Sequence, residues 1–329
     1  MLPLIVDVRC RMPSAADGSY FATRPDAARF RDAVGASPER FFSMLDAAGI
    51  AVAVSVTGNN EGLELGSLRL PPRRTSNDEQ ARLQGTYAGR FVGVAGIDVG
   101  GAAHDPIAEL RRSVKELELS LAGIEPGRAP IHADNPADRR VYPFYEEAQA
   151  LGVTVMLQTS GLYGGKNLDY ANPRWVDQVA EDFPRLRIVC GHGAYPFVRE
   201  MIAVSIRREN VFPSPDLYIF APSGREWVYA VNTGALADKL LFGSGFPLGG
   251  SLVRCVNRFL LLGFKPRALD RILRRNALRA LGLEDSPRFA ALAAAPDAFS
   301  GLSVPRAAFR LALHESARIL RASVRRRGR

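Results

Sequence analysis

Residues 4–18 read LIVDVRCRMPSAADG, and this stretch decides between two folds that the rest of the chain would allow. Its continuous apolar run predicts a strand over residues 3–8 that is covered on both faces, as in parallel sheets flanked by helices. A doubly wound open sheet would place a glycine-rich phosphate-binding turn after its first strand. Two arginines, Arg9 and Arg11, follow the run instead of such a turn. The stretch therefore favours a closed barrel.

Short apolar runs and amphipathic segments alternate along the rest of the chain. Helical spacing follows each run, and several of these segments open with a capping signal such as Ser37-Pro38-Glu39. Eight strands alternating with eight helices predict an α/β fold, a (β/α)8 TIM barrel over residues 1–283. A C-terminal helical extension with a basic tail is expected over residues 284–329. The later predicted strands lie at residues 50–57, 91–97, 121–125, 153–158, 186–190, 216–220 and 240–244.

Composition is that of an ordinary globular protein. The 329 residues are 47% hydrophobic and 23% charged, which allows a large buried core. No apolar stretch reaches the roughly 18 residues that a membrane span needs. The N-terminus does not resemble a signal peptide, so a cytoplasmic protein is expected. Cys10, Cys190 and Cys255 have no metal-binding or redox spacing and are expected to be buried thiols.

The net charge of +9 is concentrated at one end of the chain. Residues 304–329 contain eight arginines and one glutamate, so the remaining body is nearly neutral. Such a tail can bind phosphates or an acidic membrane surface. The arginines from Arg318 onward are not interleaved with aromatic side chains that would stack on bases. We therefore expect a solvated terminal helix, no nucleic acid as partner and no membrane span.

Polar side chains gather where the predicted strands end, which is where barrel enzymes place their chemistry. Arg9 and Arg11 follow the first strand, and His192 follows the sixth. The arginines could bind an anion at the barrel mouth, or they could be held by internal acids such as Asp7 or Glu125. The other candidates at these ends are Asp98, His132, Gln158, Tyr163, Tyr195 and Ser244.

Six segments between residues 4 and 283, taken in order, resemble the amidohydrolase-related family of metal-dependent (β/α)8 hydrolases and decarboxylases. Residues 6–13 (VDVRCRMP) resemble its opening Asp-x-His-x-His-Pro, and residues 183–196 (FPRLRIVCGHGAYP) its Gly-His-Gly-Gly segment. Residues 238–247 (DKLLFGSGFP) resemble Phe-Gly-Ser-Asp-Tyr-Pro. The other three are residues 93–125, 142–161 and 274–283. This resemblance implies the same barrel fold.

The family's metal ligands are largely replaced in this chain. The family uses two histidines of strand 1, one histidine each on strands 5 and 6, and an aspartate on strand 8. The matching positions here hold Arg9, Arg11, Gln158, His192 and Gly245. Guanidinium has no lone pair to donate to a metal and does not deprotonate in proteins. The resemblance therefore predicts a site with no metal and no cofactor.

Together these features predict a metal-independent, amidohydrolase-like enzyme. Arg9 and Arg11 would bind a small anionic substrate, a carboxylate or lactone, and His192 would act as general acid or base. Hydrolysis and lyase or isomerase chemistry are both compatible with the fold. The substrate-binding set would be Gln158, His132, Tyr163, Tyr195, Asp98 and Ser244. The alternative is a catalytically inactive pseudoenzyme that binds a ligand or supports a partner, as a homodimer or with a paralogous catalytic subunit.

Overall fold

Parallel strands form the centre of the computed structural model, which describes residues 4–12 and 18–299. Two groups of parallel strands are hydrogen-bonded in the orders β1-β2-β5 and β6-β7-β8-β9-β10, and β3 and β4 form a separate antiparallel hairpin. The strands are β1 Ile5–Asp7, β2 Ile50–Ser55, β3 Leu63–Leu65, β4 Leu68–Leu70, β5 Phe91–Gly93, β6 Ala95–Gly96, β7 Leu121–Ile124, β8 Thr154–Gln158, β9 Ile188–Gly191 and β10 Val211–Ser214.

Backbone hydrogen bonds close the two groups into one barrel. Strands β5 and β6 are separated by Val94 alone, so they form one interrupted strand that belongs to both groups. On the other side, the Leu241 N–H donates to the Pro213 carbonyl and the Val8 N–H donates to the Phe242 carbonyl, each at 3.0 Å. Residues 240–244 thus close the barrel between β10 and β1, and the predicted (β/α)8 fold is confirmed.

One predicted strand is wrong. Residues Asp216–Phe220 form a 3-10 helix, and the seventh barrel strand is β10, which ends before it at Ser214. Strand β10 contains Pro213, and a proline within an apolar run argues against a central strand when only the sequence is read. In the barrel the Pro213 carbonyl still accepts a hydrogen bond, so the strand is tolerated. This shift places Asp216 immediately after a strand end.

Helices cover the outside of the barrel. Ser37 caps α3 as expected, since its side chain accepts a hydrogen bond from the Arg40 N–H. The helices are α1 Gly18–Thr23, α2 Arg31–Val34, α3 Pro38–Ala48, α4 Asn77–Thr86, α5 Pro106–Lys115, α6 Tyr142–Ala150, α7 Pro173–Asp182, α8 Val198–Arg207, α9 Gly224–Asn232, α10 Leu252–Leu260, α11 Pro266–Asp270, α12 Asn276–Ala280 and α13 Ala290–Ala294. Within residues 4–12 and 18–299, every helix is too short or too polar to cross a lipid bilayer.

Two apolar clusters hold the barrel together, and alternate residues of the strands supply them. Ala53 packs in the cluster that contains helix residues such as Leu45. Its neighbours Val52 and Val54 pack in the other cluster, which also contains Leu278 of α12. This alternation follows from the period of two along a strand. The first cluster therefore lies between strands and helices, and the second fills the barrel.

The first part of the predicted C-terminal extension packs against the barrel. Phe289 is buried in the inner cluster. Arg274, which is fully buried, donates hydrogen bonds to the Leu292 carbonyl at 3.0 Å and the Pro296 carbonyl at 3.3 Å, and pairs with Asp270 at 2.5 Å. The predicted basic tail at residues 304–329 lies outside the described residues. The division at residue 283 stays a prediction.

Candidate active site

The two arginines of the opening stretch lie just beyond the end of β1, which stops at Asp7. Both are buried, with 2% of Arg9 and 3% of Arg11 exposed. The sequence allowed Asp7 to pair with one of them. Instead, Asp7 Oδ1 accepts backbone N–H bonds from Arg9 at 3.1 Å and Ser244 at 2.9 Å. Burial raises the pKa of the Asp7 carboxyl to about 6. Asp7 therefore ties β1 to the closing segment of the barrel.

The Arg9 guanidinium connects Asp216 and His192. Arg9 Nε lies 2.7 Å from Asp216 Oδ2, and Arg9 Nη2 lies 3.2 Å from His192 Nε2. Asp216 Oδ2 also accepts the His192 backbone N–H at 3.0 Å and lies 3.2 Å from His192 Nδ1. Burial raises the pKa of Asp216, and the adjacent Arg9 charge opposes that rise. The three side chains form a closed, buried group, which we call the Arg9 triad.

Two glycines make room for the Arg9 triad. A Cβ built on Gly191 would lie 2.2 Å from Arg9 Nη1. A Cβ on Gly243 would lie 2.3 Å from Asp216 Oδ1 and 3.3 Å from Arg9 Cβ. Real Cβ atoms do not approach other heavy atoms so closely. Glycine is needed at both positions because the space is occupied by the ion pair.

His192 is neutral and has a defined tautomer in this arrangement. The pKa of His192 lies well below its usual value. Burial lowers it most, and the positive charges of the nearby Arg9, Arg11, Arg73 and Arg128 lower it further. Because a guanidinium N–H can only donate, the lone pair of His192 Nε2 must accept from Arg9. The proton then sits on Nδ1, which lies 3.2 Å from Asp216 Oδ2 but makes no hydrogen bond among the described residues. The imidazole is therefore a base whose lone pair is already engaged.

A second buried ion-pair group lies around Glu125, at the end of β7. Glu125 Oε1 is 3.5 Å from Nη1 of both Arg73 and Arg128, and Oε2 accepts a hydrogen bond from the Asn60 amide. Burial alone would raise the pKa of Glu125, but these arginines hold it below its usual range. Two donors of Arg128, Nε and Nη2, are buried without a hydrogen-bond partner among the described residues. Unpaired buried donors of this kind favour a bound anion.

Buried side chains of both charges meet in this part of the barrel. Four buried guanidiniums affect His192, and three buried carboxyl groups, those of Asp7, Glu125 and Asp216, lie among them.

The donor set does not fit a divalent metal. Of the five residues that match the family's metal ligands, only His192 and Gln158 have a lone pair to offer, and the His192 Nε2 lone pair is engaged with Arg9. Within residues 4–12 and 18–299, no three His, Cys, Asp or Glu side chains are placed to hold a metal ion. Zinc and similar ions need three or four such ligands.

Two of the predicted substrate-binding residues support the backbone around the site. Gln158, at the end of β8, accepts the Ser160 N–H at 2.9 Å through Oε1. Ser244 Oγ accepts the Phe246 N–H at 3.0 Å. Asp98 lies apart from both ion-pair groups, because its carboxylate oxygens accept backbone N–H bonds within its own loop, from Gly100, Ala102 and Ala103 at 2.9–3.0 Å. Their predicted contacts with a substrate stay predictions.

The remaining predicted residues lie at different depths. The Tyr195 ring stacks on Tyr218 at 4.8 Å, and Tyr218 makes an edge contact with His192 at 5.4 Å. Tyr163 is 43% exposed on the loop after β8. His132 is half-buried on the loop after β7, with a positive φ of 40°. Tyr195 thus reaches the Arg9 triad through the Tyr218 ring. The Tyr163 N–H donates at 3.3 Å to Ser160 Oγ, which lies 3.2 Å from the Tyr218 hydroxyl, whereas no contact among the described residues joins His132 to the triad.

Sequence reasoning missed Asp216, Arg73 and Arg128. Asp216 had a usable signal, because it follows an apolar run and two prolines, but the misplaced seventh strand hid it. Arg128 comes three residues after Glu125, in the turn Pro126–Arg128, and could have been found from that spacing. Arg73 lies in a loop before α4 and has no pattern that points inward.

Comparison with known proteins gives a family match and several similar solved structures. A sequence profile described as Amidohydrolase matches residues 14–283. A TIM-barrel protein from Bordetella bronchiseptica is 32% identical, covering 85% of this chain and 98% of that chain, with a TM-score of 0.72. The 2,6-dihydroxybenzoate decarboxylase from Rhizobium is 15% identical, covering 86% and 100%, with a TM-score of 0.63. The 4-oxalomesaconate hydratase from Rhodopseudomonas palustris is 18% identical, covering 88% and 97%, with a TM-score of 0.56. Comparison with curated protein sequences gave no match.

Proposed function

Because the chain belongs to the amidohydrolase family, we propose that it is a metal-independent enzyme acting on a small anionic substrate, a carboxylate or a lactone. One observation carries the proposal. Two Arg128 donors, Nε and Nη2, are buried without a hydrogen-bond partner among the described residues, in the same part of the barrel as the buried guanidiniums of Arg9, Arg11 and Arg73. Fixed guanidinium charge would supply the kind of electrostatic stabilisation that a bound metal ion can supply.

The Arg9 triad suggests how substrate binding and proton transfer are connected. An anion that draws the Arg9 guanidinium toward itself would release the lone pair of His192 Nε2. That nitrogen could then accept a proton from the substrate or from water, and Asp216 would stabilise the resulting imidazolium through Nδ1. Arg11 would hold the anion during the transfer. The chemistry is hydrolysis, or a lyase or isomerase reaction in which a proton moves.

Related folds are compatible with this substrate class. The decarboxylase and the hydratase that share the barrel are named for small organic acids. Since fold similarity at such low identity does not carry a reaction across, the proposal for this chain rests on its arginines.

Calorimetric binding of small carboxylates and lactones tests the proposal. Arg11→Met should weaken the binding of a carboxylate such as isophthalate by about 10- to 100-fold, because one charge-assisted hydrogen bond is lost. Arg225→Met, at an exposed position of α9, is the matched control and should leave binding unchanged. Elemental analysis of the purified protein should find no stoichiometric zinc. Zinc that is lost together with turnover when His192 is replaced would contradict the metal-free mechanism.

One observation favours a second candidate, a ligand-binding relative without catalysis. The Nε2 lone pair of His192 accepts a hydrogen bond from Arg9 Nη2, so the basic nitrogen is engaged before any substrate arrives. In that case the wild type would bind isophthalate with an Arg11-dependent affinity, yet no carboxylate or lactone would be converted. Product analysis by liquid chromatography on the same panel distinguishes the two candidates.

A further inference from the structure

Helix α1 places the buried phenol of Tyr20 beside two buried arginines of the barrel, Arg73 and Arg128. Tyr20 lies on α1, close in sequence to the arginines that follow β1, and is 3% exposed. Its ring packs with Phe21 and Phe30, and this small cluster also contacts Leu248 in the loop after the closing segment of the barrel. Helix α1 therefore lies across the end of the barrel that carries the arginines.

Three guanidiniums face Tyr20. The Arg73 guanidinium lies over the ring at 4.1 Å from its centroid, and that of Arg128 lies at 5.9 Å. Arg24, just after α1, donates a hydrogen bond from Nη1 to the Tyr20 hydroxyl at 3.0 Å. Two carboxylates of the described residues pair with these cations. Asp26 pairs with Arg24 at 2.8 Å, and Glu125 lies between Arg73 and Arg128.

We propose that Tyr20 is a second proton-transfer residue of this site, which donates its phenolic proton to an anionic substrate held by the arginines. The inference rests on the proposed function and deepens it. In the step, the Tyr20 O–H bond breaks and the proton passes to the substrate atom that gains electron density. The electron pair stays on the phenolate oxygen, whose charge the three guanidiniums balance. A proton from water then restores the phenol.

Cationic surroundings distinguish Tyr20 from the other buried phenols. Burial alone would raise its pKa, but Arg128, Arg73 and Arg24 outweigh burial and lower the pKa to about 8. Burial instead raises the pKa of Tyr218 to about 12, and it raises the pKa values of Tyr145 and Tyr170 as well. An acid is most effective when its pKa lies near the working pH. Tyr20 meets this condition, whereas the His192 base is engaged with Arg9.

Tyrosinate absorbance tests the state of this phenol without any turnover. Titration of the full-length protein should show one tyrosine that ionises with a midpoint near pH 8, and Tyr20→Phe should remove that component. Tyr142→Phe, at a phenol bonded to Asp182 on the outer surface, is the control and should leave the component in place. Absence of a Tyr20-dependent component between pH 7 and pH 9 would overturn the inference.

Isophthalate binding tests whether the phenol shares the substrate's site. A bound dianion should repel the phenolate, so saturating isophthalate should raise the Tyr20 midpoint by about one unit, and the wild type should lose about tenfold affinity between pH 7 and pH 9.5. In Tyr20→Phe the affinity should change less than twofold over that range. If isophthalate binds but the midpoint of Tyr20 ionisation does not move, the role of Tyr20 is refuted and the proposed function is not. Failure of isophthalate and citrate to bind the wild type refutes the proposed function, and this inference with it.

Discussion

Gly191→Ala should displace the Arg9 guanidinium, and the structure indicates the size of the effect. A Cβ on Gly191 would lie 2.2 Å from Arg9 Nη1 and 2.8 Å from Cζ. The guanidinium cannot easily move away, because Asp216 and His192 hold it at 2.7 and 3.2 Å. Overpacking costs about 1–3 kcal/mol, and breaking a buried ion pair costs about 3–5 kcal/mol. Because the shift would strain the pair without fully breaking it, we expect the free energy of unfolding to fall by about 3 kcal/mol.

Urea denaturation followed by circular dichroism measures this loss. Gly85→Ala is the control, because Gly85 lies in α4 with nothing within 4 Å of its Cβ position, and alanine there should stabilise by about 0.5–1 kcal/mol. In the background Arg9→Ala/Asp216→Asn, Gly191→Ala should cost less than about 1 kcal/mol, since the clash is gone. A Gly191→Ala protein as stable as the wild type would refute the placement of Arg9.

Two further substitutions test the buried carboxyl groups. Asp7 has its pKa raised from 3.8 to about 6, so the folded state prefers the protonated form, and this stabilisation is complete below about pH 4 and is lost as the pH rises through 6. Asp7→Asn keeps an acceptor for the Arg9 and Ser244 N–H groups, and it should remove a decrease of about 2.4 kcal/mol in unfolding free energy between pH 4 and pH 7. Equal pH profiles would contradict the raised pKa. Glu125→Gln should lower the unfolding free energy by about 3 kcal/mol, because Arg73 and Arg128 lose their counter-charge. Added sulfate should raise its melting temperature more than that of the wild type, and an identical response of both proteins would count against an anion site at these arginines.

The barrel could be predicted from the sequence because its signals are local. Apolar runs of four to eight residues separated by amphipathic segments occur wherever parallel strands alternate with helices. Strand β8, for example, begins one residue after the predicted start and ends at the predicted residue, Gln158. The prediction of the seventh strand failed because Pro213 interrupts the local apolar pattern. The Pro213 carbonyl is satisfied by the Leu241 N–H, which comes from a segment distant in sequence.

The site could be predicted only in part. Arg9, Arg11 and His192 were proposed because they follow predicted strand ends, and the structure brings Arg9 and His192 into contact. Their roles stay predictions. The sequence could not predict which acid pairs with Arg9. Asp7 is two residues away in sequence, whereas Asp216, the actual partner, lies more than 200 residues further along the chain. Likewise, Glu125 was named as a candidate acid, but Arg73 lies 52 residues before it in a loop with no pattern.

By itself the sequence determined the alternation of strands and helices and the replacement of metal-ligating residues by arginine and glutamine. These features depend on the period of a strand or helix and on the chemistry of single side chains. Only the tertiary structure decided which charges meet: Arg9 with Asp216 and His192, Glu125 with Arg73 and Arg128, and Tyr20 with three guanidiniums. The physical reason is that a buried charge is stabilised by partners within a few ångströms. Closure of the barrel, rather than proximity along the chain, determines which residues lie within that distance.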